Sequence, residues 1–137
     1  MYFHNRYGLH DTQITKISAT NDLIDLEFRN GIYNLDSTNK ETNLTKCCHV
    51  LIQISNPNIE TCVEIIKVKK RKLHYISLAE LQEMMTHSVF EVELDLYSNF
   101  NNAIMLIGYI ASHKIVFTIY ESIDFRISIS RYSNITH

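Results

Sequence analysis

The sequence predicts a mainly β fold with one short helix, an antiparallel β-sandwich or strongly curved sheet of about eight or nine strands with the helix packed on it. Three observations lead there. Apolar and polar side chains alternate over much of the chain, most clearly in Phe90-Glu91-Val92-Glu93-Leu94-Asp95-Leu96, and period two is the mark of a half-buried strand. Strand-forming Ile and Tyr are abundant, whereas Pro occurs once and Gly three times. Only one segment carries a helical signature. The 137 residues, 45% of them hydrophobic, fit one β-rich domain over residues 1–137 that can bury an ordinary core without metal or disulfide.

Taken in order, residues 14–18 read as a first strand and Asn21-Asp22 as a turn. Residues 23–28 form a second strand, with Ile24, Leu26 and Phe28 opposite Asp25 and Glu27. Asn30-Gly31 is a strong hairpin signal, since both residues accept positive φ, so residues 32–35 are expected to pair back on residues 23–28. Residues 36–43 are polar and aperiodic and read as an exposed loop. Residues 45–54 and 62–68 follow as strands about a turn at Ser55-Asn56-Pro57-Asn58, the second running out into Lys69-Lys70-Arg71-Lys72.

Ser77-Leu78-Ala79-Glu80 is a capping box, and Leu78, Leu81 and Met85 share one face of a helix over residues 78–86. A helix of about two turns must pack on the sheet to persist. The remainder is a meander of strands at 89–97, 103–110, 114–120 and 124–130. Residues 103–110 have few polar side chains on either face, as in a strand buried on both sides or a buried helix segment.

A net charge of −2 with 20% charged residues excludes a global nucleic-acid signature, so any electrostatic partner must be read by a local patch. A hairpin of residues 45–54 with 60–69 would leave Cys48 roughly 13 Å out of register with Cys62, beyond disulfide reach. Reduced thiols in an odd number, no signal-like beginning and no apolar run of membrane-spanning length together point to the cytoplasm.

Four groups of residues could carry chemistry. His10-Asp11 could hold a metal, but the other histidines lack ligand spacing, and Asp11 more simply caps a turn or pairs with Arg6. Cys47-Cys48-His49 could supply a thiolate and an imidazole, yet adjacent strand residues point to opposite faces. The run from Lys67 to Lys72, with His74 and Tyr75 close by, could bind nucleic acid, or could simply be a solvated strand end that blocks edge pairing. No catalytic residue, metal or cofactor is implied, and an enzyme with dispersed residues stands only as an alternative.

The fourth group is Glu91, Glu93 and Asp95, joined by Asp25 and Glu27. Strict alternation puts Phe90, Val92, Leu94 and Leu96 in the core and the carboxylates on a surface ladder of roughly 7 Å per step. That ladder is either the wet face of a half-covered sheet or a rigid acidic platform for a cationic protein. Tyr33, Tyr97, Tyr109 and Tyr120 could supply aromatic anchors to it.

The opening Tyr7-Gly8-Leu9-His10-Asp11-Thr12-Gln13-Ile14, followed by Asn21-Asp22-Leu23-Ile24, Phe28 and Gly31-Ile32-Tyr33, resembles the start of small bacterial proteins with an aromatic-small-x-His-Asp-x-x-Ile beginning. Some of these look like immunity proteins of polymorphic toxin systems, including contact-dependent growth inhibition. The likeness covers about residues 3–35. It implies a non-catalytic protein that binds one cognate toxin domain. The alternating acidic strand makes Glu91, Glu93 and Asp95, joined by Asp25 and Glu27, the expected contact. Acidic surfaces suit nuclease toxins, whose nucleic-acid grooves are basic.

Overall fold

The computed structural model describes residues 3–55, 58–99 and 102–129, and within them thirteen strands and one α-helix. The strands are β1 (Tyr7–Gly8), β2 (Thr12–Ile14), β3 (Lys16–Thr20), β4 (Leu23–Phe28), β5 (Tyr33–Leu35), β6 (Glu41–Leu44), β7 (Cys48–Ile54), β8 (Val63–Lys69), β9 (Lys72–Ile76), β10 (Phe90–Ser98), β11 (Ala103–Ile110), β12 (His113–Ile119) and β13 (Ser122–Ile129). Helix α1 spans Leu78–Met84.

All pairings are antiparallel, and they make three sheets. A six-stranded sheet runs β2-β10-β11-β12-β8-β9, a four-stranded sheet β13-β7-β4-β3, and a small sheet β1-β5-β6. The two larger sheets bury their inner faces in one core. Phe90, Val92, Ile104, Leu106, Ile115 and Phe117 come from the first, and Ile24, Leu26, Phe28, Val50 and Ile52 from the second. The mainly β class therefore holds, with more strands than the eight or nine expected.

The extra strands have local causes. Residues 14–18 are not one strand, because the chain passes between the large sheets at Thr15, whose N–H donates to the Glu27 carbonyl at 2.8 Å. The passage back from β12 to β13 is made at Glu121, with φ 58° and its carbonyl accepting from Ser55 N–H at 3.0 Å. β6 begins within the segment 36–43 expected to be a loop and ends one residue past it; all four of its residues are exposed, so it carries no alternation to read. β9 follows the basic run and is also mostly exposed.

Two expected hairpins do not form. Residues 32–35 do not fold back on β4, because both edges of β4 are taken by β3 and β7. Gly31 does have positive φ (83°) but Asn30 does not, so the two-residue turn geometry is not met. A Cβ at Gly31 would overlap the Thr45 carbonyl, so glycine is needed there for close approach of the chain. Likewise β7 does not pair with β8: β7 lies between β13 and β4, and β8 between β12 and β9. Residues 56–57 of that expected turn lie outside the described residues. Cys48 and Cys62 consequently sit in or beside different sheets, and Cys47, Cys48 and Cys62 form no disulfide.

The helix forms as its capping box predicts. Glu80 N–H donates to Ser77 Oγ at 3.1 Å, and Glu80 Oε1 accepts from Ser77 N–H at 3.3 Å. It ends at Met84, before the expected Thr86, and buries Leu78, Leu81 and the following Met85 in the common core. Gln82 Nε2 ties it to β3 by donating to the Ile17 carbonyl at 2.9 Å. No helix among the described residues is long and apolar enough to cross a membrane.

Candidate functional site: the outer face of the six-stranded sheet

The unbroken alternation of residues 90–96 is interrupted in three dimensions. In the β10–β11 register, Val92 faces Gly108 while Leu94 faces Ile107, so Glu93 is an additional residue without a partner, a β-bulge. Gly108 makes room for it, since a Cβ there would overlap the Glu91 carbonyl and crowd the Phe90 ring. One extra residue in a period-two pattern inverts everything after it. Phe90 and Val92 are buried as expected, but Leu94 and Leu96 turn outward, 48% and 50% exposed. Asp95 turns to the inner side, opposite Leu106.

Asp95 is therefore removed from the expected acidic ladder and given structural work. Its Oδ2 accepts from Leu9 N–H at 3.1 Å and from the Tyr97 hydroxyl at 2.9 Å, closing the N-terminal segment onto the sheet edge beyond β2. The Tyr97 ring stacks on His4 at 4.6 Å between centroids. Burial first, then the Asp95 charge and the hydrogen bond to it, push the Tyr97 phenol well above its ordinary pKa. Glu91 and Glu93 remain exposed on β10.

Asp25 and Glu27 do not join them. They lie on β4, on the outer face of the other large sheet, where His49 stands between them. His49 Nδ1 is 2.8 Å from Asp25 Oδ1 and Nε2 is 3.9 Å from Glu27 Oε2, and Glu27 Oε1 also accepts from the Thr15 hydroxyl at 2.7 Å. The five carboxylates thus divide into an exposed pair, a pair around a histidine on a different sheet, and one inward acceptor.

The registers place the outward side chains of the six-stranded sheet in rows, read from β10 through β11, β12 and β8 to β9. One row is Glu91, Tyr109, Lys114, Val68 and Leu73. The next is Leu94, Ile107, Val116, Ile66 and Tyr75, apolar or aromatic at every position. The third is Leu96, Met105, Thr118 and Glu64, of which Thr118 is buried among its neighbours. Leu73 and Tyr75 are 63% and 71% exposed, and Ile66, Met105, Ile107 and Val116 are half-buried. Residues 103–110 are thus a strand buried on its inner side only.

The outer face of the four-stranded sheet is different. Its cross-strand rows include Ser18, Asp25, Leu51 and Arg126, and Lys16, Glu27, His49 and Ser128, the polar surface expected of a sandwich exterior. A contiguous apolar exterior of the kind on the six-stranded sheet marks an interaction surface in a water-exposed protein. Single-sequence reading could not find it, because the alternation assigned Leu94 and Leu96 to the core.

The remaining candidates are dispersed. His10 Nδ1 lies 3.4 Å from Asp11 Oδ2 and 3.8 Å from Glu41 Oε2 in a shallow cleft open to solvent that Asp95 and Tyr97 also line. Asp11 has positive φ (58°), and Arg6 lies over the Tyr7 ring at 5.5 Å. No group of three or more His, Cys, Asp or Glu side chains among the described residues is placed to hold a metal ion. Cys48 is buried on the inner face while His49 is on the outer, and burial raises the Cys48 thiol pKa, against use as a nucleophile. The basic run forms the β8–β9 turn, with Lys70 and Arg71 both at positive φ (50° and 66°) and Lys69 opposite Lys72. Comparison with known proteins finds no match among family models, curated proteins or solved structures.

Proposed function

We propose that this chain is a non-catalytic binding protein of the immunity type, acting in the bacterial cytoplasm by covering a cognate toxin domain. The observation that carries the binding reading is the apolar outer face of the six-stranded sheet, in which the row from Leu94 to Tyr75 is presented to solvent. Its centre is apolar and its rim charged, as in a specific protein interface. Glu91 and Glu93 at one edge give it affinity for a basic partner such as a nuclease, so the expected contact keeps these two carboxylates and omits Asp95. Asp25 and Glu27, on the other sheet, belong to a separate surface. The toxin class rests on the N-terminal resemblance.

The test is protection of cells. A toxin domain encoded beside this chain should arrest growth when expressed alone and be tolerated when the wild-type chain is co-expressed. Ile107→Asp and Glu91→Lys/Glu93→Lys should lose protection while accumulating to the same level. Undiminished protection by both variants would remove this face from the contact, and no protection by the wild type would remove the toxin reading. Nucleic-acid binding is favoured by one observation, the exposed Tyr75 beside the turn of Lys70, Arg71 and Lys72. It predicts a steep fall of affinity with salt.

A further inference from the structure

We infer that in the free protein the outer face of the six-stranded sheet is covered by a second copy of the same chain, packed face to face about a two-fold axis. The pairing concerns the free chain and holds whatever the partner; only its corollary, that a toxin domain must displace the second copy, rests on the binding reading above.

The distribution of charge selects this occupant. Two carboxylates stand toward one side of the face, Glu91 and Glu93 on β10 next to the short edge strand β2, and Glu64 on β8 lies at the far end of the strands. Cations lie just beyond the other side, Lys70 and Arg71 in the β8–β9 turn, four strands away, while Lys69 and Lys72, one residue out of phase with Val68 and Leu73, belong to the opposite face. Strand spacing makes that separation roughly 19 Å. The registers also place Glu91 level with Leu73, beside the basic turn, so acidic and basic edges occupy the same end of the strands.

An axis lying in the interface, parallel to the strands and over β12, exchanges the two edges. Glu91 of each copy then comes over Leu73 of the other, beside its basic turn and within side-chain reach of Lys70 and Arg71, twice per pair. Such a contact is self-complementary, as an isologous interface must be. The apolar row is symmetric about the same axis: Leu94 meets Tyr75, Ile107 meets Ile66, and Val116 meets its own copy. The tilt of roughly 30° usual between packed sheets shifts these pairings by about one strand, which a wholly apolar row tolerates.

One contact opposes the arrangement. Lys114 lies in the axial column and approaches its own copy, a repulsion its long stem relieves by turning to the open end of the sheet. Five strands and three rows cover about 24 Å by 20 Å with side-chain reach included. That is about 480 Å² per copy, below the usual range of stable interfaces, so the pairing is a weak one.

Sedimentation equilibrium on the purified chain, from low micromolar to several hundred micromolar, tests this without any partner. The wild type should pass from one chain mass to two. Glu91→Lys/Glu93→Lys alone, and Lys70→Glu/Arg71→Glu alone, should each weaken pairing by at least about tenfold. An equimolar mixture of the two variants should recover it, because each mixed pair restores both edge contacts. Ile107→Asp should stay monomeric with unchanged circular dichroism. A wild type that remains monomeric throughout, charge swaps without effect, or a mixture that fails to recover would each overturn the proposal.

Discussion

Asp95 illustrates how a side chain that reads as surface becomes part of the structure. In a regular strand it would continue the ladder of Glu91 and Glu93; turned to the inner side and half-buried, it finds donors in Leu9 N–H and the Tyr97 hydroxyl. The consequence for Tyr97 can be measured. Its folded-state pKa is raised above the ordinary value of 10.0, so its contribution to stability is fully present below that pH and is lost as the pH climbs beyond it, where the unfolded chain releases the proton and the folded chain does not. Tyr97→Phe should cost about 1 kcal/mol at neutral pH through the lost hydrogen bond. The gap between wild type and variant in urea unfolding should narrow above pH 10, and a constant gap would contradict the assignment.

At the scale of the element, the bulge in β10 decides what the molecule exposes. Glu93 is the inserted residue and Gly108 the space that admits it, since a side chain on β11 there would meet the Glu91 carbonyl. Gly108→Ala should therefore destabilise by about 1–3 kcal/mol or more, although alanine ordinarily suits a strand better than glycine. An unchanged unfolding midpoint would mean that the bulge is not held there.

Legibility of the elements followed how local their causes are. The capping box of α1 and the alternation of β4, β7 and β10 were readable because hydrogen-bonding groups and buried positions lie within a few residues of one another. The bulge was not, because its enabling glycine is on a neighbouring strand and its sequence looks like perfect alternation. Asn30-Gly31 promised a hairpin, but competition for the edges of β4 by β3 and β7 is a non-local fact. Exposed strands β6 and β9 bury too little to leave a pattern.

At the scale of the whole molecule, the two large sheets share one core but present opposite exteriors. Net charge and composition carry no trace of that asymmetry, which arises from where the registers gather Leu94, Ile107, Val116, Ile66 and Tyr75. Of the expected partner-binding residues, the position of Glu91 and Glu93 on an exposed face was readable. The separation of Asp25 and Glu27 from them, and the inversion of Asp95, required the pairing of strands distant in sequence. The proposed binding, to a toxin domain or to a second copy, depends on the apolar row pointing outward.

Thermal unfolding of Leu94→Asp tests that orientation directly. A charge introduced at a half-exposed outward position should leave the midpoint within a few degrees of wild type. A collapse of the midpoint, or failure to fold, would place Leu94 in the core and contradict the bulge, the exposed face and the binding role together.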